Sequence, residues 1–214
     1  RSTSLFSSQD LKIWKYEHNF MKNECFLPPG EDASCPYFWP IGNRYIFLFF
    51  SHTTGSQYLL GDYNKEEHCF YPTFHGRFNF MSFLPGGVHA PSATSDGEGG
   101  VIVIHNMHTG KKSPGWRGIT TLPRKLTLDK CDTINIQPYG DYKSLRTHHQ
   151  HIDKTHLPAN KEIIIDNIQG NALEIKAEIN IKSSPMIEMN VLRSPDKEEF
   201  TSIKFFKDRG VDLV

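Results

Sequence analysis

Apolar residues in this chain arrive in short bursts, and the bursts are aromatic or β-branched. Residues 12–16, 44–51, 57–62, 100–105, 126–128, 133–137, 162–167, 172–181, 186–192 and 201–207 each read as a strand. Turn signals separate them: Pro28-Pro29-Gly30, Thr54-Gly55, Pro85-Gly86-Gly87, Asp96-Gly97, Thr109-Gly110, Ser113-Pro114-Gly115 and Ser194-Pro195-Asp196. No window holds the 3.6-residue apolar repeat for 12 positions or more. Only 141–150 is expected to form a short connecting helix. The pattern predicts an all-β protein.

Two textures divide it. Up to about residue 137 the strands are aromatic and the loops between them long, irregular and rich in Gly and Pro, which suits propeller blades. Beyond about residue 155 the pattern tightens. Residues 174–181, Glu-Ile-Lys-Ala-Glu-Ile-Asn-Ile, alternate polar and apolar with period two, as do 186–191, Met-Ile-Glu-Met-Asn-Val. Such alternation predicts sheets with one wet and one buried face, as in a β-sandwich. The expected organisation is a first domain at 1–138, a linker at 139–156 and a second domain at 157–214.

Composition narrows the class. Lys+Arg and Asp+Glu both number 24, so the formal charge is zero. That argues against nucleic acid as a partner, which calls for a basic excess, and against a polybasic membrane surface. The longest apolar run, 45–50, is too short for a membrane-spanning helix. With 37% hydrophobic and 22% charged residues, the chain has material for a core. It opens at Arg1 with no initiator Met and no charged or apolar leader, and it stops on an apolar run. It is therefore expected to be a piece of a longer protein; no signal peptide is legible in it, and the cytoplasm is slightly favoured. Cys25, Cys35, Cys69 and Cys131 form no Cys-x-x-Cys pair and are expected to be free, buried thiols.

Several side-chain groups carry candidate chemistry. Glu31 and Asp32 precede the aromatic run Tyr37-Phe38-Trp39. A carboxyl against aromatic walls is desolvated, holds its proton and can donate it; the plainer alternative is a pair of hydrated turn residues. Trp116, flanked by Gly115 and Gly118, offers a flat face on which a sugar ring can stack, with Arg117 or Arg124 to bond its hydroxyls; the alternative is a core Trp beside a structural ion pair. The histidines at 148, 149 and 151 and at 105 and 108 are dense nitrogen donors. They lack a Cys or carboxylate at complementary spacing, so they read as solvated and no metal is expected. Asp96-Gly97-Glu98-Gly99-Gly100 lacks the later bidentate Glu of a calcium loop and reads as a hairpin turn.

Longer segments resemble glycoside hydrolase family 32, the invertase, levanase and inulinase group. Ser34-Cys35-Pro36-Tyr37-Phe38-Trp39, followed by the apolar run 45–52, looks like the blade in which that family carries Glu-Cys-Pro. Gln57-Tyr58-Leu59-Leu60-Gly61-Asp62 is similar to the strand after it, and His75-Gly76-Arg77 and Ala90-Pro91-Ser92 resemble the next blade. Trp116-Arg117-Gly118, with Leu122-Pro123-Arg124-Lys125-Leu126, closely matches the family's Trp-x-Gly and Leu-Pro-Arg-x-Leu signature. Ser8-Gln9-Asp10-Leu11, ending at Trp14, is similar to the hairpin before the Glu-Cys-Pro blade. Leu157-Pro158, Asn167 to Asn171 and Leu192 to Pro195 resemble the opening of its C-terminal β-sandwich.

The resemblance implies a partial five-bladed β-propeller followed by the start of a C-terminal β-sandwich. It also implies hydrolysis of β-fructofuranosyl bonds in sucrose or a fructan, so a fructose-containing oligo- or polysaccharide as partner. Net retention would run through two carboxyl groups roughly 5–5.5 Å apart, with no cofactor. The family's nucleophile, in Asn-Asp-Pro-Asn, and its fructose-binding Arg-Asp-Pro do not occur in this sequence; they are expected upstream of Arg1, leaving the isolated piece inactive. Ser34 stands where the family has its acid/base Glu. The expectation is that Glu31, or Asp32, has taken that role from a shifted loop, with Trp39 and Trp116 as substrate contacts. The alternative is a non-catalytic carbohydrate-binding propeller derived from such an enzyme.

Overall fold

The computed structural model describes residues 3–22, 26–79, 87–108, 114–116, 118–208 and 210–213. Arg117, Cys25 and the turns at 85–86, 109–110 and 113 lie outside the described residues. The chain divides into two compact units, Arg1–Tyr142 and Lys143–Val214. Among the described residues every strand pairs antiparallel, with one isolated parallel bridge between Met21 and Phe70, and no α-helix occurs. The expected connecting helix is a single 3-10 turn, Tyr142–Leu145.

The first unit opens with a hairpin, β1 (Ser4–Ser7) and β2 (Lys15–Asn19). A four-stranded meander follows in chain order: β3 (Ser34–Ile41), β4 (Arg44–Ser51), β5 (Gly55–Asn64) and β6 (Cys69–Arg77). A second sheet is built from β7 (Gly87–Ser95), β8 (Val101–His108), β10 (Arg124–Leu128) and β11 (Ile134–Pro138), with the two-residue β9 (Ile119–Thr120) paired to the end of β8.

Strands β4 and β5 show why the apolar run at 45–50 does not alternate. They are the inner strands of their sheet, and both faces are covered. One face sends Ile46, Leu48, Tyr58 and Leu60 against Val101, Val103 and Leu126 of the second sheet. The other sends Phe47, Phe49 and Leu59 against Phe70, Phe20 and Met21, the last two just beyond β2. The aromatic cluster here is dense: Phe20 meets Phe38 edge-on at 4.9 Å and stacks on Phe70 at 6.1 Å.

Strands β3, β6 and β7 were not expected from the pattern, and proline is the reason. Pro36, Pro40, Pro72 and Pro91 interrupt their apolar runs. All three are edge strands, where a missing N–H costs no ladder bond. Irregularities absorb three of these prolines: the register shifts between Ser34 and Tyr37, opposite Leu60/Gly61, and between His89 and Pro91. At Gly61 the fold brings backbone so close that a Cβ would overlap the Tyr71 carbonyl and lie 2.8 Å from Phe70 Cε2.

The second unit holds a three-stranded sheet of β12 (Met186–Val191), β13 (Thr201–Phe206) and β14 (Gly210–Leu213). The strands expected at 162–167 and 172–181 do not form. These residues pair with no strand, and Ile164, Ile165, Ile175 and Ile179 are exposed alongside their charged neighbours. A period-two pattern specifies a face, but a strand also needs a neighbour to hydrogen-bond, and none is present here. Side-chain pairs hold the segment instead: Arg146 forks onto Glu174 through two 2.6 Å bonds, and Glu162 bonds Arg193 at 2.9 Å and also Lys197.

The thiol expectation needs correction. Cys35, Cys69 and Cys131 are free, but only Cys69 is buried; the other two sit on a strand edge and in a hairpin turn, facing solvent.

Candidate active site at one edge of the first meander

In an antiparallel meander, the start of one strand lies beside the end of the next. Ser34 pairs with Phe50, Ser51 with Gly55, and Gln57 with Arg77. The loop before β3, the β4–β5 turn and the end of β6 therefore converge on one edge. The start of β7 reaches the same edge, since His89 lies 5.5 Å from Phe50, ring to ring.

Glu31 and Asp32 occupy this edge and point to different partners. Glu31 is only 7% exposed. Its Oε1 accepts the backbone N–H groups of Asp32 (2.9 Å) and Ala33 (3.4 Å), and its Oε2 accepts the Thr54 hydroxyl at 3.4 Å. Asp32 turns the other way. Ser34 Oγ donates to its Oδ2 at 2.7 Å, the His52 amide donates to Oδ1 at 3.3 Å, and His52 Nδ1 bonds Oδ2.

The backbone that follows the two carboxyls is strained. Ala33 and Cys35, on either side of Ser34, have φ of 40° and 51°, and Ala90 on β7 has 44°. None of the three is a residue type that visits this region readily, and such strain gathers where a fixed geometry is needed.

Partial burial alone would raise the Asp32 pKa. The hydrogen bonds from Ser34, His52 and the Glu31 carboxyl outweigh it and hold the group at about 2. Of the aromatic run, Phe38 packs into the cluster with Phe20 and Phe70, and Tyr37 and Trp39 pack toward the second sheet. Asp32 is thus held as a carboxylate at neutral pH.

Behind Glu31 stands a set of polar residues that the sequence reading did not name as site residues. Gln57 Nε2 donates to Thr54 Oγ1 at 2.6 Å, His75 Nε2 meets Gln57 Oε1 at 2.7 Å, and Arg77 donates to the Thr54 carbonyl at 3.3 Å. Burial lowers the His75 pKa, and the Arg77 charge lowers it further while Glu31 pulls the other way. The only signals in the sequence were the Thr54-Gly55 turn and the His75-Gly76-Arg77 triplet. Their convergence requires the strand register.

The aromatic candidates part ways. Trp39 is partly buried, packs against the core between the sheets, and donates its indole N–H to the Ala93 carbonyl at 3.3 Å. Trp116 is 51% exposed and keeps an open face. Arg124 sits on β10, opposite Val103 and Pro138. Among the described residues, no group of three His, Cys, Asp or Glu could hold a metal ion. His148, His149 and His151 are exposed, whereas His105 is fully buried rather than solvated. Residues 96–100 form the β7–β8 hairpin turn, with Asp96 Oδ1 accepting the Glu98 and Gly100 amides at 2.7 Å each.

Comparison with known proteins adds the family. No curated protein matches the chain. A solved structure, that of glycoside hydrolase family 32 from Bifidobacterium adolescentis, aligns over 99% of this chain with a TM-score of 0.53 and 12% identity. This chain covers 35% of that one, so it spans about a third of the relative's length. The likeness at that identity is one of fold. The model of the glycosyl hydrolases family 32 N-terminal domain matches residues 1–138, and the chain belongs to this family of carbohydrate-cleaving enzymes.

Proposed function

We propose that the protein carrying this chain hydrolyses β-fructofuranosyl bonds, in sucrose or a fructan, with Glu31 as the general acid/base. The reading adds that its two meanders are blades of a five-bladed propeller at 1–138, joined through 139–156 to a β-sandwich begun at 157–214. The observation that carries the chemistry is the placement of two adjacent carboxyls on one edge of the meander, each fixed by its own partners. Asp32 holds the negative charge, fixed by Ser34 and His52, and Glu31 is buried one residue away with Oε1 bound by two amides. A buried carboxyl fixed beside a second carboxylate is placed to protonate the leaving oxygen and then deprotonate the attacking water.

Retention requires a second carboxylate as nucleophile, roughly 5–5.5 Å from the acid. Asp32 is adjacent but already bonded to Ser34 and His52, so the reading assigns the attack to a carboxylate elsewhere in the full-length protein. Trp116 is the open stacking surface for a further sugar unit, while Trp39 packs against the core between the sheets.

Removal of a general acid lowers the rate by about 10²–10⁴-fold. In the full-length protein, Glu31→Gln should abolish fructose release from sucrose and inulin while the near-ultraviolet circular dichroism stays that of the wild type. Undiminished release by Glu31→Gln, or fructoside binding by the wild type with no release, would remove the reading.

A further inference from the structure

The polar chain behind Glu31 has a direction, and hydrogen-bond chemistry fixes it. A glutamine amide donates only from Nε2 and accepts only at Oε1. Gln57 Nε2 lies 3.3 Å from the Gly55 carbonyl as well as 2.6 Å from Thr54 Oγ1. A flipped amide would set carbonyl oxygen against carbonyl oxygen, so Nε2 belongs where it is. Oε1 then faces His75 Nε2, which must carry its hydrogen. Thr54 Oγ1, already accepting from Gln57, turns its own hydrogen to Glu31 Oε2. Each donor thus points toward the carboxyl, through a site where Gln57 is 1% exposed.

The strands make this chain rigid. Gln57 lies opposite Arg77 on the inner strand β5, and His75 lies on β6 opposite Leu59, so Gln57 and His75 share a face. Arg77 ties the Thr54 carbonyl to the same strand end. Low dielectric makes such a chain strong when every member is satisfied.

We infer that Thr54, Gln57 and His75 are positioning residues for the Glu31 carboxyl, setting which oxygen is held and how readily it takes up a proton. The inference rests on Glu31 being the acid/base of the proposed reaction. The oxygens are treated unequally: Oε1 is held by two backbone donors, and Oε2 by a single hydroxyl whose orientation depends on Gln57 and His75. His75 acts as a neutral Nε2–H donor, and the groups facing this chain are the Arg77 guanidinium and the Glu31 carboxyl.

Two measurements on the full-length protein test it, one free of substrate. In nitrogen-15 NMR of the wild type, assigned with His75→Gln, His75 should be the Nε2–H tautomer; an Nδ1–H tautomer reverses the chain and overturns the inference. Thr54→Val removes the hydroxyl that favours the ionised carboxyl. The carbon-13 titration of Glu31, and the basic limb of the kcat profile, should both move up by about one pH unit. kcat should fall about tenfold with KM unchanged, and Thr54→Ser should restore all three. A Thr54→Val protein that titrates like the wild type, or a Thr54→Ser protein no better than Thr54→Val, overturns the inference. A shifted Glu31 titration in a protein that releases no fructose supports the positioning chain and sinks only the assigned reaction.

Discussion

Strands β4 and β5 and the segment 172–181 are both rich in Ile, Leu or Phe, yet they meet different ends. In the first, Ile46, Phe47, Leu48, Phe49, Leu59 and Leu60 are at most 2% exposed, because each strand has a neighbour on both sides and a packed layer on both faces. In the second, Leu173, Ile175 and Ile179 remain at least 37% exposed, with no strand alongside. The contrast teaches that apolar content and period decide which side chains seek burial, while strand partners decide whether they find it.

The sharpest way to break this contrast is truncation on each side. Phe70→Ala, at the centre of the aromatic cluster, should cost about 3–5 kcal/mol. Ile164→Ala, at an exposed position of the second unit, should stay within about 0.5 kcal/mol. Urea unfolding of both variants measures the difference. Equal losses would mean that the second unit packs as tightly as the first.

Between those extremes lies His105, which sharpens the account of the core between the sheets. It is fully buried, neither ring nitrogen has a hydrogen-bond partner, and it lies 4.9 Å from Phe78. Burial, aided by the charges of Arg124 and His89, pushes its pKa down to about 4. The folded state therefore binds fewer protons than the unfolded one between pH 6.5 and about 4. Stability is full above 6.5 and falls as the pH drops through that window, by an amount on the order of 2–3 kcal/mol. Melting curves from pH 7 to 4 for the wild type and His105→Phe should show the slope diminished in the variant. An unchanged slope would place the acid sensitivity elsewhere.

A smaller effect tests close approach within the first meander. Gly61→Ala must push its Cβ into the Tyr71 carbonyl and the Phe70 ring. The expected loss is about 1–3 kcal/mol in thermal unfolding, and a neutral variant would show that β6 can yield there.

The all-β class was legible because aromatic and β-branched runs between Gly and Pro turns leave no other reading. The bounds of β4, Arg44–Ser51, could be read directly, since nothing but an inner strand accepts six apolar residues in succession. The edge strands β3, β6 and β7 were hidden by Pro36, Pro72 and Pro91, whose meaning changes once an edge is known. The strands expected at 162–181 failed for the converse reason, since local pattern carries no information about a partner. At the candidate site, the adjacency of Glu31 and Asp32 could be read. The fixing of Asp32 as a carboxylate could not, because it rests on a Ser34 hydroxyl set between two left-handed residues and on His52, 20 residues away. Thr54, Gln57 and His75 required the register of three strands.

The central claim is that Glu31 gives a proton to the departing sugar oxygen, and leaving-group dependence tests it most directly. A poor leaving group needs that proton, whereas an aryl group such as p-nitrophenolate departs without it. The account predicts that Glu31→Ala in the full-length protein loses about 10²–10⁴ in the rate of fructosyl release from sucrose. The same variant should keep most of its kcat/KM on p-nitrophenyl β-fructofuranoside, because that ratio reports the first step alone and the loss of the base slows only the second. Equal losses on the two substrates, or none on either, would contradict it.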